Sequence, residues 1–157
     1  MSQQIKADKD YTLLTQLMQV ADIFVKTRER ELLPQHLSAT AAEILFLVDA
    51  MGEDVTPAKI TRMMLREPHS ISLMLVRMEK NGLIKRTKNM ERKNLIRVTL
   101  TAKGEKALGQ AMKKDGTVNI LSRLTTEQRS KLKQALGILK EAGKKELHLS
   151  PNALLWP

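Results

Sequence analysis

A chain of 157 residues, 42% hydrophobic and 28% charged, suffices for one domain with a real core and hardly for two. It contains no cysteine, which excludes disulfides, thiolate zinc sites, cysteine nucleophiles and thiol redox sensing. The formal net charge of +10 points to a polyanionic partner, and its distribution is uneven. Residues 1–58 hold 5 Lys/Arg against 9 Asp/Glu, residues 59–106 hold 13 against 4, and residues 107–157 hold 9 against 4. A neutral to acidic frame thus precedes a strongly basic middle. Aromatics are only 3%, and nine Met with many Leu supply the apolar mass, so a mostly helical core is expected. The polar start, Ser2 to Asp10, and the short apolar run Ile44 to Val48 predict neither a signal peptide nor a membrane span, hence a cytoplasmic protein.

In chain order, Leu13, Leu14, Leu17, Val20, Ala21, Phe24 and Val25 fall at helical spacing in a helix from Asp10 to Leu32, stopped by Pro34. Ser38 is placed to cap a second helix carrying Ala42, Leu45, Phe46 and Val48, with Gly52 ending it. Thr56-Pro57 opens a short helix through Leu65, and Pro68 interrupts the chain before a helix from His69 to Asn81, with Gly82 as its stop. The period then changes. Leu83-Ile84 and Leu95 to Leu100 read as two strands around a polar turn, Asn89 to Lys93. Thr101 caps a long helical stretch reaching Leu121, in which Asp115-Gly116 is a possible break. Thr125 to Gln128 supplies a capping box for a last helix to about His148, and Ser150-Pro151 ends it before a tail with Leu154, Leu155 and Trp156.

Two short helices joined by Arg66-Glu67-Pro68 and followed by a basic hairpin make a winged helix-turn-helix. In the helix from His69 to Asn81, Ile71, Met74, Leu75 and Met78 must face the core. The opposite face presents Ser70, Ser72, Leu73 and Arg77 as base readers, short hydroxyls first and a long cation after, suited to entry into a major groove by the helix's N-terminal half. Leu73 suits a thymine methyl, which shifts the preferred site toward A·T pairs. Lys59, Arg62, His69, Lys85, Arg86 and Lys88 are candidate phosphate contacts. The cationic hairpin tip is suited to an adjacent minor groove.

Over nearly the whole chain the sequence resembles the MarR family of transcription regulators. The stretch from Ser70 to Arg86, including Met78-Glu79-Lys80-Asn81-Gly82-Leu83, is similar to the family's recognition helix and first wing strand. Val98-Thr99-Leu100-Thr101-Ala102-Lys103-Gly104 is similar to its second wing strand and the start of its long helix. The wing departs from the family pattern of an acid followed by two basic residues ending in Arg. Aligned without gaps, those places hold Arg92, Lys93 and Asn94; slipped by one residue, they hold Glu91, Arg92 and Lys93. Arg92 and Lys93 are both candidates for the minor-groove residue.

The resemblance implies a mainly α fold with a small β-hairpin wing. Residues 1–37 would form an N-terminal dimerisation helix, 38–101 the winged helix-turn-helix region, and 102–157 the C-terminal dimerisation helices and tail, all one integrated domain. It also implies a homodimeric repressor on a palindromic double-stranded DNA operator, altered by a small-molecule effector. The effector cleft would lie between the dimerisation helices and the winged region, bordered by Leu17, Val20, Phe24, Phe46 and the start of the helix after Thr101. With so few aromatics, the effector should be small or weakly bound. His36, His69 and His148 lack the spacing of metal ligands, and no catalytic constellation stands out, so neither metal, cofactor nor enzymatic activity is expected. The alternative function is a ligand-independent or architectural DNA-binding protein controlled by a protein partner. Sequence-tolerant binding would favour that alternative, and a fixed palindrome the regulator.

Overall fold

The structure is a computed structural model that describes residues 8–52, 55–88 and 95–150. Helix α1 (Lys9–Leu32) starts at Asp8, whose carboxylate accepts the Asp10 backbone N–H, and a 3₁₀ turn (Leu33–Gln35) holding Pro34 follows it. Helix α2 (Ala39–Met51) is capped by Ser38 and ends at Gly52, where φ is +63°. Thr56 caps α3 (Pro57–Met64), with Pro57 in the first turn. Helix α4 (Pro68–Lys80) begins one residue earlier than expected. Pro68 opens this helix instead of interrupting the chain before it, because a first-turn residue needs no N–H and proline already holds a helical φ.

Strands β1 (Ile84–Lys88) and β2 (Ile96–Leu100) pair antiparallel, Ile84 opposite Leu100 and Lys88 opposite Ile96. The first strand is longer than its apolar pair suggested, since Lys85 to Lys88 continue it on pairing alone. The described residues continue with α5 (Ala102–Ala111), α6 (Asp115–Leu121) and α7 (Thr126–Glu146). The Thr125–Gln128 capping box forms as read. The last helix ends earlier than expected. His148 takes a left-handed φ of 50°, and the N–H groups of His148 and Leu149 close onto the carbonyls of Lys145 and Lys144.

The expected long helix after Thr101 is broken at residues 112–114, just before Asp115-Gly116, and α1 explains the break. A continuous helix would pair the Asp115 N–H with the Ala111 carbonyl and the Thr117 N–H with that of Lys113. Instead Arg28 donates to the Ala111 carbonyl (2.8 Å), and Glu31 accepts from the Thr117 N–H (2.9 Å). Gly116 allows this approach, since a Cβ there would stand 2.9 Å from a Glu31 carboxylate oxygen.

The core lies in the middle of the chain. Ile44, Leu45 and Leu47 of α2, Val55, Ile60 of α3, Ile71, Leu75 and Met78 of α4, Ile84 of β1 and Val98 of β2 are fully enclosed. Leu108 and Ala111 of α5 close the cluster. The Val98 N–H donates to the Val55 carbonyl, which ties β2 to the segment before α3.

Candidate nucleic-acid interface and adjoining cavity

The periodicity of α4 decides which side chains can meet a partner. Ile71, Leu75 and Met78 are buried and Met74 packs beside them, as the spacing required. His69, Ser70, Ser72, Leu73, Val76, Arg77 and Lys80 are exposed, and Leu73 stands opposite the buried stripe. The structure therefore brings all four proposed base readers to solvent on one helix. Helix α3 packs against α4, with Arg62 exposed in its last turn and Lys59 half-buried near its start. On the hairpin, Lys85 and Lys88 are exposed. Arg92 and Lys93 lie outside the described residues, as do Leu154, Leu155 and Trp156 of the tail.

Arg86 has a different first occupation from the phosphate contact expected of it. Its Nε and Nη2 donate to Glu79 Oε2 at 2.9 and 2.7 Å, and its backbone N–H donates to Glu79 Oε1 at 2.9 Å. The Arg86 side-chain bonds, with its backbone bond second, hold the Glu79 carboxyl below the usual carboxylate range. This clamp joins the end of the recognition helix to the first wing strand. Composition hides it, because Arg86 reads as one more cation; the opposite charges flanking the Gly82 turn were the available signal.

The same turn is gripped from α5. Gly82 has φ +70°, the Thr101 hydroxyl donates to its carbonyl, and the Thr101 N–H donates to the Leu83 carbonyl (3.1 Å). Lys103 Nζ donates to the Asn81 carbonyl (2.8 Å). A Cβ on Gly104 would fall 2.0 Å from the Leu83 carbonyl oxygen, so only glycine lets α5 start this close to the turn.

A second feature lies behind the winged region, between the end of α1, α2 and the end of α5. It is an open cavity of about 370 Å³. Phe24 and Phe46, the chain's two phenylalanines, both line it, with Val25, Ala42, Leu108 and Met112 as further apolar wall. Arg28, Glu43, Lys114 and Thr117 supply its polar groups. Leu17 and Val20 do not line it. They lie nearer the start of α1, and both are exposed. The cavity also uses the end of α5 instead of its start, because α1 meets the α5–α6 break through Arg28. Sequence reasoning missed Arg28, Glu43 and Lys114 here, since no spacing rule links residues so far apart in the chain. Glu43 stays largely exposed at the rim, yet nearby protein desolvates its carboxyl and raises its pKa, with Arg66's charge opposing. For Glu31, burial acts to raise the pKa, but the bonds from Arg28 and Thr117 outweigh it and hold the group low.

Residues 37–93, from the residue before the Ser38 cap into the wing, match the model of the MarR family. This winged region thus carries the MarR-family pattern. Among solved structures, the organohalide-sensing transcriptional regulator RdhR, bound to 2,4-dichlorophenol, is 28% identical with a TM-score of 0.81, over 93% of this chain and 90% of that one. A mutant MarR from E. coli complexed with operator DNA is 19% identical with a TM-score of 0.76, covering 85% of this chain and 99% of that one. The regulator SlyA is 17% identical, also at 0.76, over 85% of this chain and 95% of that one. The latter two show the fold. No curated protein sequence matches the chain. Gly82, Thr101 and Gly104, beside the Glu79–Arg86 clamp and Lys103, hold the end of α4 to the hairpin and α5. No helix among the described residues is long and apolar enough to cross a membrane.

Proposed function

We propose that this protein is a sequence-specific double-stranded-DNA-binding transcriptional regulator of the MarR family, a repressor that acts as a homodimer on a palindromic operator. The observation that carries the reading is the exposed face of α4, where Ser70, Ser72, Leu73 and Arg77 stand clear of the core beside Lys80, Arg62 and Lys85. Arg77 and its neighbours read bases; Lys59, Arg62, His69, Lys85 and Lys88 meet phosphates. Arg86 serves first as the clamp on Glu79. Residues 38–101 form the DNA-binding region, and residues 1–37 and 102–157 form the dimerisation parts. Supporting the dimer, α1 exposes Tyr11, Leu13, Leu14, Leu17, Met18 and Val20, and α7 exposes Leu132, Leu136, Ile138 and Leu139. Single monomers rarely leave so much contiguous apolar surface in water.

The cavity is the proposed effector site. Its volume and paired phenylalanines suit a molecule with one ring, in keeping with the dichlorophenol bound by RdhR. Arg28 lines the cavity and also holds the α5–α6 break, so an occupant that pulls on it changes how α1 meets the C-terminal helices. Such a ligand releases DNA only if it prefers a separation of the two recognition helices that the operator does not accept.

Selection of bound fragments from a random DNA pool, followed by a screen for compounds that release the winning duplex, tests this function. A palindrome with half-sites about one helical turn apart is expected. Arg77→Ala should cost about 1–3 kcal/mol on that duplex and relax its specificity, while Lys85→Ala should weaken all sequences alike and flatten the salt dependence. Equal binding to every fragment, with no releasing compound, would leave the architectural alternative standing.

A further inference from the structure

We infer that Leu73 and Val76 of α4 read the 5-methyl groups of thymine, so that the half-site carries thymines under the middle of the recognition helix. This rests on the DNA-binding reading above and names what its central contact recognises.

Leu73 and Val76 are each 46% exposed, on a helix whose Ile71, Leu75 and Met78 are fully enclosed. Leu73 occupies the pole of the outward face, and Val76, three residues on, shares that face. Arg77 and Lys80 lie on the same side of the helix and are also exposed. An aliphatic pair set among cations fits poorly against an apolar protein groove, which would strip water from Arg77 and Lys80. The major groove offers what both kinds of side chain need. Its rims are phosphates, its floor is hydrogen-bonding base edges, and the apolar group on that floor is the thymine methyl. Over a guanine or cytosine edge, Leu73 would cover donors or acceptors without replacing their hydrogen bonds with water. Over a methyl it loses nothing and removes apolar surface from water. Two helical residues three apart are separated by about 4.5 Å along the axis, which falls between one and two base-pair steps of about 3.4 Å. Two methyls on neighbouring or next-neighbouring pairs therefore match the pair of side chains, with a guanine contact for Arg77 beside them.

The test uses the full chain and the duplex recovered from the random pool. Each thymine is replaced in turn by deoxyuridine, which removes the methyl and leaves the hydrogen-bonding edge intact. A loss of about fourfold in affinity is expected at one or two thymines per half-site, the value of one buried methyl, and no loss at the others. Leu73→Ala should abolish the thymine–deoxyuridine difference at one position and Val76→Ala at another, while Arg77→Ala leaves both. Alanine is a strong helix former and these sites are exposed, so the variants should melt with the wild type. Indifference to deoxyuridine everywhere, or differences that all survive both Leu73→Ala and Val76→Ala, overturns the inference and leaves DNA binding intact. Indifference combined with altered self-association of Leu73→Ala also overturns it, and assigns the patch to contact between copies of the chain. If no duplex is retained at all, the DNA-binding reading falls with it.

Discussion

Helices α1 and α2 both carry aliphatic residues at helical spacing, and they are buried to opposite extents. Helix α2 encloses Ala41, Ala42, Ile44, Leu45, Leu47 and Val48, because α1, α5 and β2 surround it. Helix α1 encloses only Leu32, at its very end, and leaves Tyr11 through Val20 in water. The same contrast separates the middle of the chain, which closes its own core, from α7, which has no enclosed residue. Apolar periodicity reports that a helix has a face to bury, and not which molecule buries it. In the middle the partner is the chain itself; at the two ends the proposed partner is a second copy.

The largest effect expected within this contrast comes from Gly104→Ala. Its new Cβ would meet the Leu83 carbonyl at 2.0 Å, and backbone cannot yield as a flexible side chain does. We expect a loss of about 4 kcal/mol, above the usual overpacking range, read by urea denaturation. A wild-type midpoint would show that α5 can tilt away from the turn without cost. Next, Leu75→Ala opens a cavity at a fully enclosed site and should cost about 3 kcal/mol at any protein concentration.

Leu14→Glu should behave differently. On the exposed α1 face it should leave the winged region folded and weaken self-association by about 2 kcal/mol, seen in sedimentation as a shift toward monomer. A variant that sediments as the wild type would remove α1 from the proposed dimer. The smallest effect concerns acid. Glu79 and Glu31 both titrate below the usual carboxylate range, so each contributes stability that is present above the unfolded value of about 4.3 and lost as pH falls through the lowered folded value. Glu79→Gln should flatten part of the acid transition of the winged region. Glu31→Gln should do the same for the joint between α1 and α6, with the loss for either variant at neutral pH about 1 kcal/mol. Unchanged acid curves for both would show that these pairs hold geometry without holding stability.

Local rules carried much of the architecture. Ser38, Thr56, Thr101 and Thr125 each accept the backbone N–H that a capping residue should, and Gly52 and Gly82 take the positive φ expected at their helix ends. Caps and periods involve residues within about one turn of each other, so neighbouring letters are enough to read them. The outward face of α4 was legible for the same reason. Three features were not. The break after Ala111 depends on Arg28 and Glu31, some eighty residues earlier, taking over bonds that a continuous helix would make. Arg86 looked like a free cation until folding set Glu79 against it. Leu17 and Val20 looked like cavity wall because they share a helix with Phe24, but the cavity forms only where α1 meets α2 and the end of α5. The order of elements, the capped ends and the outward side of α4 were set by short-range chemistry written in the sequence. The helix break, the Glu79–Arg86 clamp and the cavity's walls required distant segments to meet, and only the tertiary structure decided them.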